Sequence, residues 1–264
     1  SAILAPMARQ RVPEGPPPPP AVQKLRIRYA RRGRLRFSSS RDFSRALERA
    51  LRRAHVPMAF SAGFHPHPKI SYAGAAPTGM ASEAEYLEIS VTERVDPQRL
   101  RAALDAALPD GLDILEVVEA GPGSLADRLQ ASEWELVFPA ADVDVVRAAT
   151  ATFLAAPEVP VTRMFKTGPK TFDARAAVVA AEVCEESGRV GDGSLDRPYA
   201  ILRMVVQHTT PVVRPDDILT ALRSVADLES AASPTVTRRA QGLLQTAPAG
   251  VADPLAADKD AVGN

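Results

Sequence analysis

The chain has 264 residues, 45% of them hydrophobic and 24% charged, which is enough for one large or two small cores. A single cysteine, Cys184, excludes an internal disulfide, a cysteine-built zinc site and a cysteine-ligated iron–sulfur cluster. No run approaches the roughly 18 apolar residues of a membrane span and no signal-peptide core is present, so a cytoplasmic protein is expected.

Basic and acidic side chains number 32 each, yet they are not evenly spread. Lys24 to Arg53 holds twelve Lys or Arg against Asp42 and Glu48, a local charge of +10. Residues 1–23 add +1, so everything from Ala54 onward carries −11. Such polarisation points to a polyanionic partner at one end, because clustered cations displace counterions from phosphates and steer association.

In chain order, residues 1–23, with an unbroken proline run from Pro16 to Pro20, favour polyproline II and predict a disordered leader. Leu25, Ile27 and Tyr29 alternate with Arg26 and Arg28, which predicts a half-buried strand, and Gly33 then permits a turn into Leu35 to Phe37. Ser38 to Ser40 offer N-caps, with Ser39 and Asp42 at capping-box spacing. In the helix that follows, Phe43, Ala46, Leu47, Ala50, Leu51 and Ala54 form a packing stripe. Arg41, Arg45, Arg49 and Arg52, with Arg53 beside them, form the opposite face, where successive phosphates of a nucleic acid would be met.

Phe60 to Gly79 is dense in turn residues. Pro66 and Pro68 bias His65 and His67 towards extended geometry, which predicts a stiff arm from His65 to Lys69 with both imidazoles on one side. Gly63, Gly74 and Gly79 mark turns or close approaches, and Lys69 to Ala75 reads as a short strand. Glu85 to Val91 is another strand, Asp96-Pro97 opens a helix to about Leu108, and Leu112 to Val118 is a strand. The order βαββαβ over residues 24–120 matches the ferredoxin-like split unit.

Residues 121–130, with Gly121-Pro122-Gly123, form the best linker candidate. The G-x-G-x-x-A match there lacks the βαβ context of a nucleotide loop. Residues 131–245 repeat the plan less legibly. Strands are expected at Trp134 to Phe138, Val159 to Phe165, Tyr199 to Val206 and Pro234 to Ala240, and helices at Asp142 to Ala155 and Pro215 to Ala226. Phe172 to Val183 is open between strand and helix, and Gly191-Asp192-Gly193 reads as a turn. Cys184, in the run AAVVAAEVC, is expected in the core with no flanking cation. Residues 246–264 read as a disordered tail. The fold expected is therefore α+β: tandem ferredoxin-like units, antiparallel sheets with helices on one face.

The run from Phe37 to Ile89, with VRPDDIL at Val213 and TVTRRA at Thr235, resembles the radical SAM-linked domain family, a bacterial domain of unknown function fused to or encoded beside a radical SAM protein with a cobalamin-binding-type domain. Gly63, Phe64, Pro66, Pro68 and Lys69 sit where that family places its G-F-N-P-x-P-K motif, and Asp42 and Arg45 where it places H-L-D-x-x-R. Ser40 stands where the family usually has His, and His65 where it has Asn. The resemblance implies a radical SAM partner; one cysteine cannot supply the three thiolates of such a cluster, so this chain would be the accessory half.

The function expected is a non-catalytic RNA-binding accessory module that presents structured RNA to a separate radical SAM enzyme. It needs no catalytic residue, cofactor or metal. Arg34, Arg36, Arg41, Arg45, Arg49, Arg52 and Lys69 would meet phosphates, and Phe64 or His65 would stack a base. Asp42, Gly63, Pro66, Pro68 and Gly79 would hold the motif. Arg163, Lys166, Lys170 and Arg175 would extend the surface if both halves shared one groove. One alternative is a metal-independent endoribonuclease in which His65, His67 and Lys69 act on the RNA 2′-hydroxyl. Another is a protein-docking subunit of a radical SAM enzyme without RNA affinity.

Overall fold

In a computed structural model the described residues are 11–189, 196–229 and 233–261. Residues 1–10 of the leader and the turn expected at Gly191 to Gly193 lie outside them. Residues 11–22 form neither helix nor strand.

The alternation of β1 (Gln23–Arg31) buries Leu25, Ile27 and Tyr29 on one face. A tight 3-10 turn over Gly33–Phe37 leads to α1 (Ser40–Arg53), where the Ser39 hydroxyl accepts the Asp42 N–H at 3.1 Å as the capping spacing predicts. Phe43, Leu47, Ala50 and Leu51 face inward, and the Phe43 ring stacks on Tyr29 at 4.5 Å between centroids. β2 (Ile70–Ala73), β3 (Ala81–Val91), α2 (Pro97–Ala107) and β4 (Leu112–Glu119) follow. Pro97 occupies the first turn of α2 and the Asp96 carboxylate accepts the Arg99 N–H at 2.9 Å. The strands order β4-β1-β3-β2, and α1 and α2 close one core over β1, β3 and β4.

The short α3 (Leu125–Arg128) precedes β5 (Ala131–Phe138), α4 (Val143–Ala155), the hairpin β6 (Pro160–Phe165) and β7 (Gly168–Asp173), α5 (Ala174–Ala177), β8 (Val178–Arg189), β9 (Asp196–Gln207), α6 (Pro215–Ala226) and β10 (Thr235–Thr246). Here the strands order β10-β5-β9-β8, and Leu136, Phe138, Leu202 and Met204 pack against α4 and α6. The strand expected at Val159 to Phe165 does form, but it pairs only with β7, outside the main sheet. The open segment from Phe172 resolves into the end of β7, one turn of helix and β8.

A separate sheet for each half was expected, and the two halves instead share one main sheet. Thr237 and Arg238 of β10 pair in parallel with Ala81 and Ser82 of β3, joining nine strands into a mixed, mostly antiparallel sheet. Polar side chains hold this seam. Arg238 pairs with the buried carboxylate of Glu85, which also accepts the Ser82 hydroxyl and the Ala76 N–H, both at 3.0 Å. Arg238 donates further to the Gly74 carbonyl at 2.6 Å, and a Cβ on Gly74 would overlap the Gln241 amide. Gly74, at φ 60°, is thus fixed by both backbone and space.

Residues 121–130 and 246–264, expected as linker and tail, differ most from the sequence reading. Their described residues build a cap on the sheet face opposite α1 and α2. β11 (Ala249–Ala252) pairs with β10, and α7 (Ala256–Asp260) meets α3, where Leu255, Leu125 and Leu129 pack on Ala84 and Tyr86. Asp258 is fully buried and binds Arg26 at 2.9 Å, Arg128 at 2.8 Å and the Gly121 N–H at 2.8 Å. Burial alone would raise the carboxyl pKa, but these donors outweigh it and hold it below the ordinary range. No helix among the described residues is long and apolar enough to cross a membrane.

His208 lies beneath the cap, its Nδ1 at 2.7 Å from the Leu129 carbonyl and Nε2 at 2.8 Å from the Ser132 hydroxyl. A carbonyl only accepts, so Nδ1 carries the proton and Nε2 accepts from Ser132 in the neutral ring. Burial pushes its pKa down despite the Leu129 carbonyl.

Asp258→Ala leaves two arginines without their buried acceptor, and urea unfolding is expected to show a loss of roughly 3–5 kcal/mol. For His208 the folded pKa is depressed, so the unfolded chain binds the extra proton. Its contribution is complete above about pH 6.5 and fades as pH falls from there towards the folded value. Melting temperatures at pH 7.5 and 5.5 are expected to diverge less in His208→Gln than in the native protein.

Candidate nucleic-acid interface

The basic cluster separates into two parts. Along β1 and just after it the cations are paired internally: Lys24 and Arg26 with Glu88, Arg26 with Asp258, Arg28 with Glu116, and Arg32 with Glu83 and Asp113. Arg31 is buried and donates to the carbonyls of Ala76 at 2.9 Å and Pro77 at 3.1 Å. On α1, by contrast, Arg41, Arg45, Arg49, Arg52 and Arg53 are exposed and make no ion pair among the described residues. From Arg41 to Arg52 the stripe runs roughly 17 Å along three turns. Asp42 is turned to the cap, accepting the Ser39 hydroxyl at 2.8 Å.

Arg34 is exposed at the N-terminal end of this helix, and Arg36 donates to the Gly33 carbonyl while its guanidinium lies 4.4 Å from the exposed Phe37 ring. Gly79 ties the turn after β2 to this corner through its N–H on the Arg36 carbonyl at 2.7 Å, with φ 93°.

The stiff extended arm is instead the second limb of a small hairpin. Phe60 bridges Pro68, the Ser61 N–H meets the His67 carbonyl at 2.8 Å, and the Lys69 N–H meets the Ala59 carbonyl at 2.8 Å. Proline lacks a donor, so pairing runs through the residues between Pro66 and Pro68 and just after them. Gly63, at φ 124°, turns the chain in open space, and Phe64 and His65 follow it at the exposed tip.

A cavity of about 340 Å³ lies between this hairpin and the last turns of α1. Leu51, Val56, Met58 and Phe60 give it an apolar lining, and Glu48, Arg52 and His67 its polar groups. Thus the structure brings His67 and Arg52 together, as the sequence does not show, but leaves His65 outside. Lys69 lines a different hollow, beside Lys24 and Glu88. Tyr72 of β2 reaches the same helix, its ring edge-on to Phe43 at 6.0 Å. Burial, with Glu48 nearby and against the Ser44 hydrogen bond, raises its hydroxyl pKa.

The second half adds less than the sequence suggests. Arg163 pairs with Asp217 and Arg175 donates to the Leu154 and Val178 carbonyls, so both are structural. Lys166 and Lys170 are exposed on the β6–β7 hairpin, with Lys170 5.2 Å from the Phe165 ring. Cys184 is half-buried with Arg203 at 3.8 Å from its sulfur, and so does have a neighbouring cation. Among the described residues no group of three or more His, Cys, Asp or Glu is placed to hold a metal ion.

Sequence reasoning gave no site role to Val56, Met58 or Phe60. Their signal is alternation in the short extended run that leaves α1 and joins the sheet edge, where Met58 bridges Val91.

Fold and site together define an α+β protein with an exposed basic helix beside an apolar groove. A family model described as "Uncharacterized protein conserved in bacteria (DUF2344)" matches residues 24–215, and the chain belongs to that family. No curated protein matches it significantly. A crystal structure of an unknown protein from Galdieria sulphuraria aligns with 78% of this chain and 92% of that one, at 16% identity and a TM-score of 0.23, too slight a likeness to carry an argument.

The exposed and buried aromatics of this region are expected to separate in stability measurements. Phe64→Ala, at a position 61% exposed, is expected to stay within about 0.5 kcal/mol of the native protein. Phe43→Ala empties a packed site and is expected to cost roughly 3–5 kcal/mol in the same urea titration.

Proposed function

We propose that this protein is a non-catalytic RNA-binding module that presents structured RNA to a separate radical SAM enzyme. The observation that carries the reading is the row Arg41, Arg45, Arg49 and Arg52, exposed and without an ion pair among the described residues, whereas Arg26, Arg28 and Arg32 are matched internally. Unpaired guanidiniums along one helix face suit successive phosphates. Exposed Phe60, which lines the groove with Arg52, and exposed Phe64 at the hairpin tip suit unstacked bases, which is how single-stranded parts of RNA are held. The radical SAM partner rests on the family resemblance given above and on the absence of cluster thiolates in a chain with one cysteine.

We also read each half as a ferredoxin-like βαββαβ unit. Its support is the strand order, β4-β1-β3-β2 in one half and β10-β5-β9-β8 in the other, with a helix between the first and second and between the third and fourth strands of each sequence. The β6–β7 hairpin is then an insertion after the first helix of the second unit.

Fluorescence anisotropy of labelled cellular RNA over a salt series tests the reading. Affinity is expected to fall with salt, and Arg41→Glu, Arg45→Glu, Arg49→Glu together to lower the slope of log K against log salt by about 3. Absence of binding by the native protein at low salt overturns the proposal in favour of a protein-docking role. Cleavage of the RNA in EDTA, lost in His67→Ala, would overturn its non-catalytic part.

A further inference from the structure

The groove between α1 and the hairpin contains a feature that phosphate binding does not need. Glu48 is the one acid of α1 beyond its cap, it lies four residues before Arg52, and both side chains line the groove. At that spacing a Glu and an Arg ordinarily pair on a helix surface. Here they do not, and Glu48 makes no hydrogen bond or ion pair among the described residues. This half-buried carboxylate, with Arg52 and His67 as the other polar groups of the groove and the Tyr72 hydroxyl nearby, keeps lone pairs free to accept from a ligand.

Resting on the RNA-binding reading above, we propose that this groove takes one unstacked guanine base of the bound RNA, with Glu48 accepting from N1–H and N2–H and Arg52 donating to O6. The volume of about 340 Å³ is at the small end of ligand sites, room for one nucleoside and not for a run of bases. Phe60, 43% exposed, offers a face for stacking, and its bridge to Pro68 braces that wall of the groove opposite α1. A carboxylate accepts and never donates, while a guanidinium donates and never accepts. Guanine alone presents an acceptor followed by two adjacent donors along its Watson–Crick edge. Adenine and cytosine offer one amino group beside an acceptor that would face the carboxylate, and uracil offers a single N–H flanked by two carbonyls. Phosphates on either side of the flipped nucleotide would then fall to Arg45, Arg49 and Arg53 on the same helix.

The test uses short oligouridylates carrying one central guanine, inosine, adenine or cytosine, titrated against the full chain by anisotropy. The guanine oligomer is expected to bind about tenfold more tightly than the adenine or cytosine ones, with inosine, which lacks the 2-amino group, in between. Glu48→Gln is expected to remove the guanine preference while keeping salt-dependent affinity for all four, and an unchanged melting temperature shows that the change is not unfolding. Phe60→Leu is expected to weaken all four alike. Equal binding of the four by the native protein, or a preference that survives in Glu48→Gln, overturns the guanine site and leaves RNA binding standing. Failure of every oligomer to bind overturns both.

Discussion

The buried pair of Glu85 and Arg238 is the interaction on which the remaining architecture depends. Each half has its own apolar core, and a parallel contact of two residue pairs would be a thin joint between them. Two charges withdrawn from water at that joint are tolerable only when every remaining lone pair and N–H finds a partner. Here Ser82, the Ala76 N–H and the Gly74 carbonyl supply further partners to the pair. The chain segment leaving β2 is therefore pinned into the seam, and Arg31 adds three carbonyl contacts to the same segment at Ala76, Pro77 and Met80. Because β2 continues directly from the hairpin, the seam also fixes the far end of the element that walls the groove.

That arrangement explains why so basic a region leaves only one helix free. Strand β1 is central in its half, with β3 and β4 on its two edges, α1 and α2 over one face and the cap over the other, so its buried arginine Arg26 must be matched or destabilise the sheet. Glu88, Glu116 and Asp258 do the matching from β3, β4 and α7. Helix α1 packs by one stripe only, and among the described residues the arginines of its outer face make no ion pair. Facing solvent, these arginines are available to a ligand, and a regular helix holds them at fixed spacing, which a loop would not.

What the sequence made legible follows the strength of local patterns. Leu25, Ile27 and Tyr29 alternate without interruption, and Phe43, Leu47 and Leu51 repeat at helical spacing next to a serine cap, so β1 and α1 could be placed from residues alone. The Pro-His-Pro-Lys run showed rigidity but not direction, because a proline-fixed φ is equally at home in an isolated arm and in one limb of a hairpin; only the pairing with Phe60 and Ser61 decides between them. The cap was illegible for a different reason. Asp258 sits in an Ala- and Asp-rich stretch with a composition like that of a disordered tail, and its partner Arg26 is 232 positions away. No local rule reports that a single carboxylate will be buried against a strand at the other end of the chain.

The same non-locality bears on how the groove is held. One wall is α1, fixed by Phe43 stacked on Tyr29 within the first core. The other is the hairpin, anchored at its base where the Ala59 N–H meets the Ser90 carbonyl at 2.8 Å and the Ser90 N–H meets the Lys69 carbonyl at 3.1 Å. The hairpin is thus held by β3, and α1 by Tyr29 of the adjacent β1 and by Leu87 and Ile89 of β3, the strand that also carries Glu85 and the joint to the second half. A change that loosened β3 would move the helix and hairpin relative to one another, whereas a change at the exposed tip, around Gly63 and Phe64, would alter chemistry without altering the frame. Within this frame, Arg49 and Arg52 keep a fixed position relative to His67 and Phe60, and the preorganisation of the groove is a consequence of sheet pairing, with the surface charges contributing none of it.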